Sequence, residues 1–227
     1  MTLLTRIGQV LTTDLTKELG FKKNQGQASE YQLLADMRKR RSFYELSNRV
    51  PYSSEYLIDL IKQTVRCCPS ALNSQSARVV ILLQDSHFEM WQMVKDVLRQ
   101  NMPAYVFEGA EIKIDRCAAA YGTVLFFEDQ DTVKALQKQK PLQADEFKQW
   151  SEQTSGMVQF AVWTALAGVG LGASLHHYNP SIDAKLSQML DLPPHWALKA
   201  QLIFGGIMQV PEQKHELLDD TVFRIFS

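Results

Sequence analysis

The sequence predicts a single α+β domain whose central sheet is covered by helices. Three short runs, at residues 77–83, 121–127 and 196–204, are apolar and rich in β-branched or aromatic side chains, as buried strands are. Between these runs, apolar residues recur every three or four positions, which is typical of amphipathic helices. The predicted strands lie far apart along the chain, so the sheet must be assembled from non-local segments and covered by the helices.

The first 29 residues differ in pattern from the rest of the 227-residue chain. Leucine or isoleucine stands at positions 4, 7, 11, 15 and 19, which predicts an amphipathic helix, and the polar stretch 21–29 indicates a linker. Such a helix could touch a membrane surface or serve as a transit sequence, but Asp14 and Glu18 on its polar side favour an arm packed on the protein itself. The predicted organisation is an N-terminal arm and linker at 1–29 and one domain at 30–227.

The first half of the domain is predicted to alternate helices with strands. One helix begins near Glu30 and runs into the basic cluster at 38–41. A second begins at Ser53 and ends before Pro69, because proline cannot continue a helix interior. The strand at 77–83, a helix at about 88–99 and the strand at 121–127 follow in that order.

The second half is predicted to contain one long helix and three further strands. The helix covers 143–167, and because its second half is apolar nearly all round, its own domain or a partner subunit must bury it. The glycine-rich segment 168–174 breaks this helix and leads into a short strand. The strand at 196–204 is expected to end at Gly205 and Gly206, and the tail 222–226 (VFRIF) is expected to form a terminal strand.

The composition argues against several classes of protein. The chain has 24 lysines and arginines against 25 aspartates and glutamates, so it lacks the cationic field that neutralises nucleic-acid phosphates. No run reaches the roughly 18 apolar residues that a membrane span needs. Three cysteines, two of them adjacent, are not a disulfide framework and suit a reducing compartment. We therefore expect a cytoplasmic protein with neither a nucleic acid nor a membrane as partner.

Two polar segments are candidate binding sites. Arg40, Arg41 and Ser42 could bind a phosphate, since guanidinium groups offer forked donors and serine adds another, although basic residues at a helix C-terminus are also favoured by the helix dipole. Asn73 and Gln75 precede a predicted strand, and their amides could recognise the edge of a ring that carries donors and acceptors. The same residue types are also ordinary in turns.

Other motifs are weaker. The glycines of 168–172 have GxGxG spacing but follow a helix and precede a strand, which is the reverse of a dinucleotide-binding fingerprint. His176 and His177 are adjacent, project in different directions and have no second ligand at metal-site spacing, so no metal is expected. The sequence contains no defensible Ser-His-Asp set, carboxylate pair or P-loop. Phosphate- and amide-type contacts without a catalytic side chain favour a protein whose bound cofactor performs the chemistry.

Read together, these segments resemble the nitroreductase family of FMN-dependent flavoproteins, and within it the short fatty-acid-repression-type nitroreductases of bacteria and fungi. The matching motifs occur in the family's order: RRSFYEL at 40–46, CPSALNSQSARVVIL at 68–82, YGTVLFFED at 121–129, QWSEQTSGMVQFAVWTALAGVGLGASLHHYNPSID at 149–183 and PPHWALKAQLIFG at 193–205. The resemblance implies a central, mostly antiparallel sheet covered by helices. It also implies an intertwined homodimer with one FMN at each of two interface sites.

The same resemblance implies roles for individual residues. Arg40 and Ser42 would hold the FMN phosphate, with Arg41 and Tyr44 nearby. Asn73 would face the ribityl chain or the isoalloxazine edge, with Gln75 adjacent. The backbone N–H groups of His176 and His177 would approach flavin N5 and O4. A C-terminal basic residue would complete the phosphate clamp, for which Lys214 and Arg224 are the candidates. The sequence departs from the family pattern at His176, where many relatives have Gln, and at Val222, where an arginine is common.

The implied activity is electron transfer from NADH or NADPH, through FMN, to nitroaromatic or quinone-type acceptors in two half-reactions at one site. A flavin-binding regulatory or stress protein with little turnover is the second hypothesis, and a cofactor-free dimeric scaffold is the third. Rapid NAD(P)H oxidation in the presence of an acceptor distinguishes the first from the second. A colourless protein that does not respond to mutation of Arg40 or Ser42 would indicate the third.

Overall fold

The computed structural model describes residues 31–212 and 222–226. Among the described residues, those from Asp36 onward belong to one compact unit. The helix predicted at 4–19 and the linker at 21–29 lie outside the described residues, so the N-terminal arm stays a prediction.

The described residues form five strands and seven α-helices. The strands are β1 (Leu46–Ser47), β2 (Ala77–Leu83), β3 (Gly122–Asp129), β4 (Gly172–His176) and β5 (Trp196–Ile207). The helices are α1 (Gln32–Lys39), α2 (Ser54–Cys67), α3 (Gln84–Asn101), α4 (Ala104–Ala118), α5 (Gln130–Gln139), α6 (Ala144–Gly168) and α7 (Asp183–Leu190), with short 3-10 turns at Ala71–Asn73 and Pro141–Gln143.

The strands pair into one sheet around β5. Strand β3 lies on one side of β5, with β2 beyond it, while β4 and β1 pair with the other side of β5. All four strand pairs are antiparallel. Beside β4, Ser42 forms an isolated parallel bridge with Ala173, which brings the basic cluster to the edge of the sheet. The predicted α+β architecture with a central antiparallel sheet is confirmed.

Helices cover both faces of this sheet, which explains why its strands are continuous apolar runs. All eight residues of β3 are buried. Leu125 and Phe127 belong to the core that α3, α4 and α7 complete, whereas Val124 and Phe126 belong to the core that α2 and α6 complete. A strand buried on both faces shows no alternation of polar and apolar residues, so the run itself is the strand signal.

The helix boundaries follow local chemistry. Ser53 caps α2, since its Oγ accepts a hydrogen bond from the backbone N–H of Tyr56 (3.2 Å). The chain becomes extended at Cys68, directly before Pro69, as predicted. No helix in the described part of the chain is long and apolar enough to cross a membrane.

Two predicted strand features are wrong. Strand β5 does not end at Gly205 and Gly206 but continues through them to Ile207. A Cβ at Gly205 would lie 2.4 Å from the carbonyl oxygen of Ser47, and one at Gly206 would lie 2.4 Å from that of Arg49, so these glycines permit a close approach of two chain segments. The tail 222–226 is not a strand, and Ile225 and Phe226 are more than 90% exposed.

Candidate cofactor site

The basic cluster after α1 places one arginine, Arg40, against an aromatic ring. The guanidinium of Arg40 lies over the ring of Trp163 in α6, with 4.5 Å between the guanidinium carbon and the ring centroid. Within residues 31–212 and 222–226, Arg40 makes no side-chain hydrogen bond and no ion pair. Desolvation, and then the charge of Arg41, lower the pKa of Arg40 below its ordinary value. An arginine remains charged under these conditions, so a bound anion would relieve both effects.

Trp163 also contacts Arg41, the residue that follows Arg40. Its indole Nε1 donates to the backbone oxygen of Arg41 (3.2 Å), and the side chain of Arg41 donates to the backbone oxygen of Glu212. Ser42 bridges to Ala173, and the backbone N–H of Phe43 donates to the oxygen of Ala173 (3.0 Å). The three predicted phosphate-binding residues are therefore fixed between α6 and β4.

A cavity of about 490 Å³ lies between α4, β4 and β5. Tyr44, His176 and His177, all predicted site residues, line it. A smaller hollow of about 240 Å³ is lined by Ser42 and shares Tyr44 and Arg116 with the larger cavity. The structure thus connects the predicted phosphate-binding residue Ser42 to the predicted flavin-ring residues. The volume suits a cofactor or a small aromatic ligand.

His176 is held as a neutral ring in the cavity wall. Its Nε2 lies 3.0 Å from Ser174 Oγ, and its ring stacks on that of Tyr178 with a centroid separation of 6.0 Å. Desolvation, and then the charge of His177, lower the pKa of His176 to about 4. A neutral imidazole at physiological pH shapes the cavity but cannot act as a strong proton donor.

Helix α4 contributes three cavity residues that the sequence analysis missed: Lys113, Arg116 and Cys117. Lys113 and Arg116 are three positions apart and thus share a helix face, which was the available signal. Arg116 also pairs with Glu45 at the surface, with 3.0 Å between Nε and Oε1. Burial raises the pKa of Cys117 to about 12, so the thiol is not an activated nucleophile. The cations place positive charge at the cavity.

The other predicted site residues lie on a loop with an unusual backbone. Leu72, Asn73 and Gln75 have φ values of 51°, 53° and 50°, in the left-handed region that non-glycine residues seldom occupy. The backbone N–H of Gln75 donates to Ser70 Oγ (3.0 Å), and its carbonyl accepts from Arg78 Nη1 (2.8 Å). Strained residues held by their surroundings are a frequent feature of binding sites.

This loop borders a second cavity, of about 370 Å³, which shares no lining residue with the first. Asn73 and Gln75 line it, together with Thr154 of α6. Thr154 is 2% exposed, and its Oγ1 has no hydrogen-bond partner within the described residues. An unpartnered buried hydroxyl in a cavity wall is a group that a ligand can satisfy.

Of the two C-terminal candidates, Arg224 alone falls within the described residues. Lys214 lies outside the described residues. Arg224 lies in the exposed segment 222–226, where its Nη1 donates to the backbone oxygen of Phe223 (3.2 Å). Both assignments stay predictions. No group of three or more His, Cys, Asp or Glu side chains within the described residues is arranged to hold a metal.

Comparisons with known proteins show the family to which the chain is similar. The family model described as "Nitroreductase family" matches residues 37–206. The nitroreductase FRM2 of Saccharomyces cerevisiae is 36% identical over 180 residues, covering 77% of this chain and 88% of the yeast protein.

Solved structures extend the similarity to the fold. The nitroreductase CinD of Lactococcus lactis, in complex with chloramphenicol, is 41% identical with a TM-score of 0.80, covering 86% of this chain and 99% of CinD. CinD has also been solved with 4-nitrophenol (TM-score 0.78). A more distant structure from Desulfovibrio desulfuricans, a complex with FMN, is 19% identical with a TM-score of 0.66, covering 88% of this chain and all of that one, and shares the fold.

Proposed function

This chain belongs to the nitroreductase family and is an oxidoreductase of that type, and on that premise we propose that it binds FMN and passes electrons from NADH or NADPH to nitroaromatic or quinone-type acceptors. The observation that carries the proposal is Arg40, a half-buried cation on Trp163 beside Arg41 and Ser42. Ser42 lines a hollow that shares Tyr44 with the cavity of His176 and His177.

The residues present fit FMN at the phosphate end. A phosphate would accept hydrogen bonds from Arg40 and Ser42, and its charge would offset the repulsion between Arg40 and Arg41. Trp163 fixes the Arg40 guanidinium before the ligand arrives, so less side-chain freedom is lost on binding. Arg41, which already donates to Glu212, contributes mainly its charge.

The larger cavity fits the flavin ring and its reaction partners. FMN supplies the chemistry when bound, since it accepts a hydride from a nicotinamide and gives the electrons to an acceptor. Lys113 and Arg116 supply positive charge where negative charge develops during electron transfer. Tyr44, 57% exposed at the cavity, offers a ring on which flat molecules can stack.

No side chain in this cavity needs to act as an acid, base or nucleophile. His176 is neutral and the Cys117 thiol is protonated near pH 7, because burial moves both pKa values away from neutrality. The contribution of the protein is therefore orientation of two partners in turn and electrostatic stabilisation. Acceptors enter by shape, and we extend to this chain the nitroaromatic class represented by 4-nitrophenol in CinD.

We assign the second cavity to the same FMN site, completed by a second copy of the chain. Asn73, Gln75 and the unpartnered Thr154 hydroxyl offer donors and acceptors away from the first cavity. Nearby, Met157 and Phe160 of α6 are about 40% exposed and line an apolar groove of about 530 Å³ between α2 and α6. Exposed apolar surface of this kind favours burial by a partner subunit, as the family resemblance implies.

The test is an anaerobic absorption spectrum of the desalted protein after incubation with FMN. We expect flavin bands that bleach on addition of NADH or NADPH and return on addition of a quinone. The nicotinamide that bleaches the bands faster is the preferred electron donor. Bands that persist with both donors would favour a binding or regulatory protein, and a colourless protein would contradict the flavin assignment.

A variant pair tests the phosphate assignment. Arg40→Ala should weaken FMN binding about tenfold or more, because a charge-assisted hydrogen bond contributes roughly 1.5–3 kcal/mol. Arg99→Ala is the matched control, since Arg99 also lies over an aromatic ring, that of Phe107 at 5.1 Å, but pairs with Glu111 away from both cavities. Equal FMN affinities of the two variants would refute the assignment.

A further inference from the structure

The buried carboxylate of Glu128, at the end of β3, is not explained by the fold. Glu128 is completely buried, and its Oε2 accepts hydrogen bonds from Ser76 Oγ (2.6 Å) and Ser151 Oγ (2.7 Å). Its Oε1 has no partner within the described residues. Desolvation raises the pKa of Glu128, and the two serine hydrogen bonds oppose that effect. A half-satisfied buried carboxylate stabilises a fold poorly, and an apolar residue of similar volume is often as good.

Glu128 is connected through Ser76 to the left-handed loop. Ser76 directly follows Gln75, the last residue of the loop with positive φ. The next residue of β3, Asp129, donates its backbone N–H to the oxygen of Ser76 (2.9 Å), and its carboxylate pairs with Arg78 (2.6 Å). Arg78 in turn donates to the carbonyl of Gln75 (2.8 Å). The end of β3 is therefore linked to the end of the loop by the side chains of Glu128 and Asp129 and by one backbone hydrogen bond.

These contacts are needed because the backbone conformation of the loop is unfavourable by itself. A non-glycine residue is unfavourable in the left-handed region, and three such residues lie between positions 72 and 75. Without an anchor at its C-terminal end, the loop would relax toward more common backbone angles. The side chains of Asn73 and Gln75 would then leave the cavity wall that they share with Thr154.

Helix α6 supports both parts of this arrangement from one face. Ser151 and Thr154 are three positions apart, which places them on the same side of a helix. Ser151 donates to Glu128, whereas Thr154 borders the cavity of Asn73 and Gln75. The carboxylate thus sits between a rigid helix and the loop.

We propose that Glu128 is a positioning residue that holds the Ser70–Ser76 loop, through Ser76, in the conformation that presents Asn73 and Gln75 to the flavin. The proposal rests on the proposed FMN function. It assigns Glu128 the role of a hydrogen-bond acceptor, which requires an oxygen at the position of Oε2. Glutamine can place its amide oxygen there, whereas methionine, of similar size, cannot.

The experiment measures FMN affinity by fluorescence titration, and the exchange of backbone amide hydrogens in residues 70–76 of the FMN-free protein. Glu128→Met and Ser76→Ala should each weaken FMN binding about tenfold and accelerate amide exchange in the loop. Glu128→Gln should restore FMN affinity to within about threefold of the wild type, which a loss of stability alone would not predict. Equal effects of Gln and Met would overturn the proposal.

Ser151→Ala is the matched control. It removes a hydrogen bond of nearly equal length to the same oxygen, but Ser151 lies on α6 and not on the loop. We expect Ser151→Ala to lower the melting temperature while FMN affinity stays near that of the wild type. If Glu128→Met does not fold, the two serine variants still test the proposal. Equal FMN affinities of Ser76→Ala and Ser151→Ala would refute it.

The two proposals fail in different ways. A wild-type protein that does not bind FMN would contradict the proposed function, and the positioning role that rests on it. A wild-type protein that binds FMN, with Glu128→Met and Ser76→Ala binding it equally well, would overturn the positioning role and leave the proposed function intact.

Discussion

His87 in α3 is a buried histidine whose replacement by glutamine tests the pH dependence of stability. His87 is 2% exposed, and desolvation lowers its pKa from 6.5 to about 4, against the opposing effect of backbone hydrogen bonds. We assign the proton of the neutral ring to Nε2, which donates to the oxygen of Ala118 (3.2 Å). Nδ1 then accepts from the hydroxyl of Thr123 (2.9 Å), which accepts from the Trp91 indole (2.9 Å). This chain of hydrogen bonds requires the neutral ring.

The sign and size of the effect follow from the lowered pKa. Because His87 binds a proton less readily in the folded protein, the unfolded chain is protonated first as the pH falls. The contribution to stability is complete above pH 6.5 and is lost as the pH falls to about 4. The loss is about 2 kcal/mol at pH 5 and about 3 kcal/mol at pH 4, since one pKa unit corresponds to about 1.36 kcal/mol.

The assay is urea unfolding of the wild type and His87→Gln between pH 4 and pH 7.5, followed by tryptophan fluorescence. His176, whose pKa is also lowered to about 4, titrates in both proteins, so its effect cancels in the difference. The wild type should be more stable at pH 7, and its advantage should shrink by about 2 kcal/mol at pH 5. A difference that stays constant with pH would refute the reasoning.

Three further predictions concern the loop, the sheet and the cavity. Leu72→Gly should raise the melting temperature of the FMN-free protein by about 1–4 °C in a thermal scan. The released backbone strain of roughly 1–2 kcal/mol exceeds the cost of the added entropy of the unfolded chain, and little packing is lost because the Leu72 side chain is 57% exposed. A lower melting temperature would contradict the backbone strain at Leu72. Gly205→Ala should destabilise the protein in urea unfolding, because the new Cβ would lie 2.4 Å from the Ser47 carbonyl oxygen. Gly109→Ala in helix α4 should stabilise the protein by about 0.5–1 kcal/mol, because no atom lies within 4 Å of the new Cβ. Lys113→Gln should lower the two-electron reduction potential of bound FMN by about 30 mV in a dye-coupled titration, which corresponds to about 1.4 kcal/mol of lost charge stabilisation; an unchanged potential would place Lys113 away from the ring.

The strands were predictable from sequence because burial on both faces leaves long apolar runs, and β2 has the predicted bounds. Helix α4 escaped prediction because apolar side chains stand on both its faces: Phe107 and Ile114 are buried, whereas Tyr105 and Ile112 are more than half exposed. Its helical period is therefore obscured. Helix α5 escaped for the opposite reason, since Val133 alone among its residues is buried.

The site was predictable only in part. Ordered motifs pointed to Ser42, Tyr44, His176 and His177, which the structure brings to connected cavities. The left-handed backbone of Leu72 was not predictable, since no glycine marks it and the hydrogen bonds that hold the loop come from residues distant in sequence. Gly205 and Gly206 were read as a strand end because the chain segment that approaches them lies about 160 positions earlier.

Unfavourable local features accumulate at the two parts of the candidate site. Of the five non-glycine residues with left-handed backbone in the described ranges, three lie in the loop at 72–75. Within the described residues, Arg40 has only the Trp163 ring as a partner, while Arg99, which also lies over a ring, has two carboxylates within 3.5 Å. Strain and unmatched charge of this kind persist when the surrounding structure holds them and a ligand relieves them. FMN should therefore stabilise the folded protein by about 4 kcal/mol at a thousandfold excess over its dissociation constant, as mass action requires, and Arg40→Ala should abolish more of that gain than Arg99→Ala.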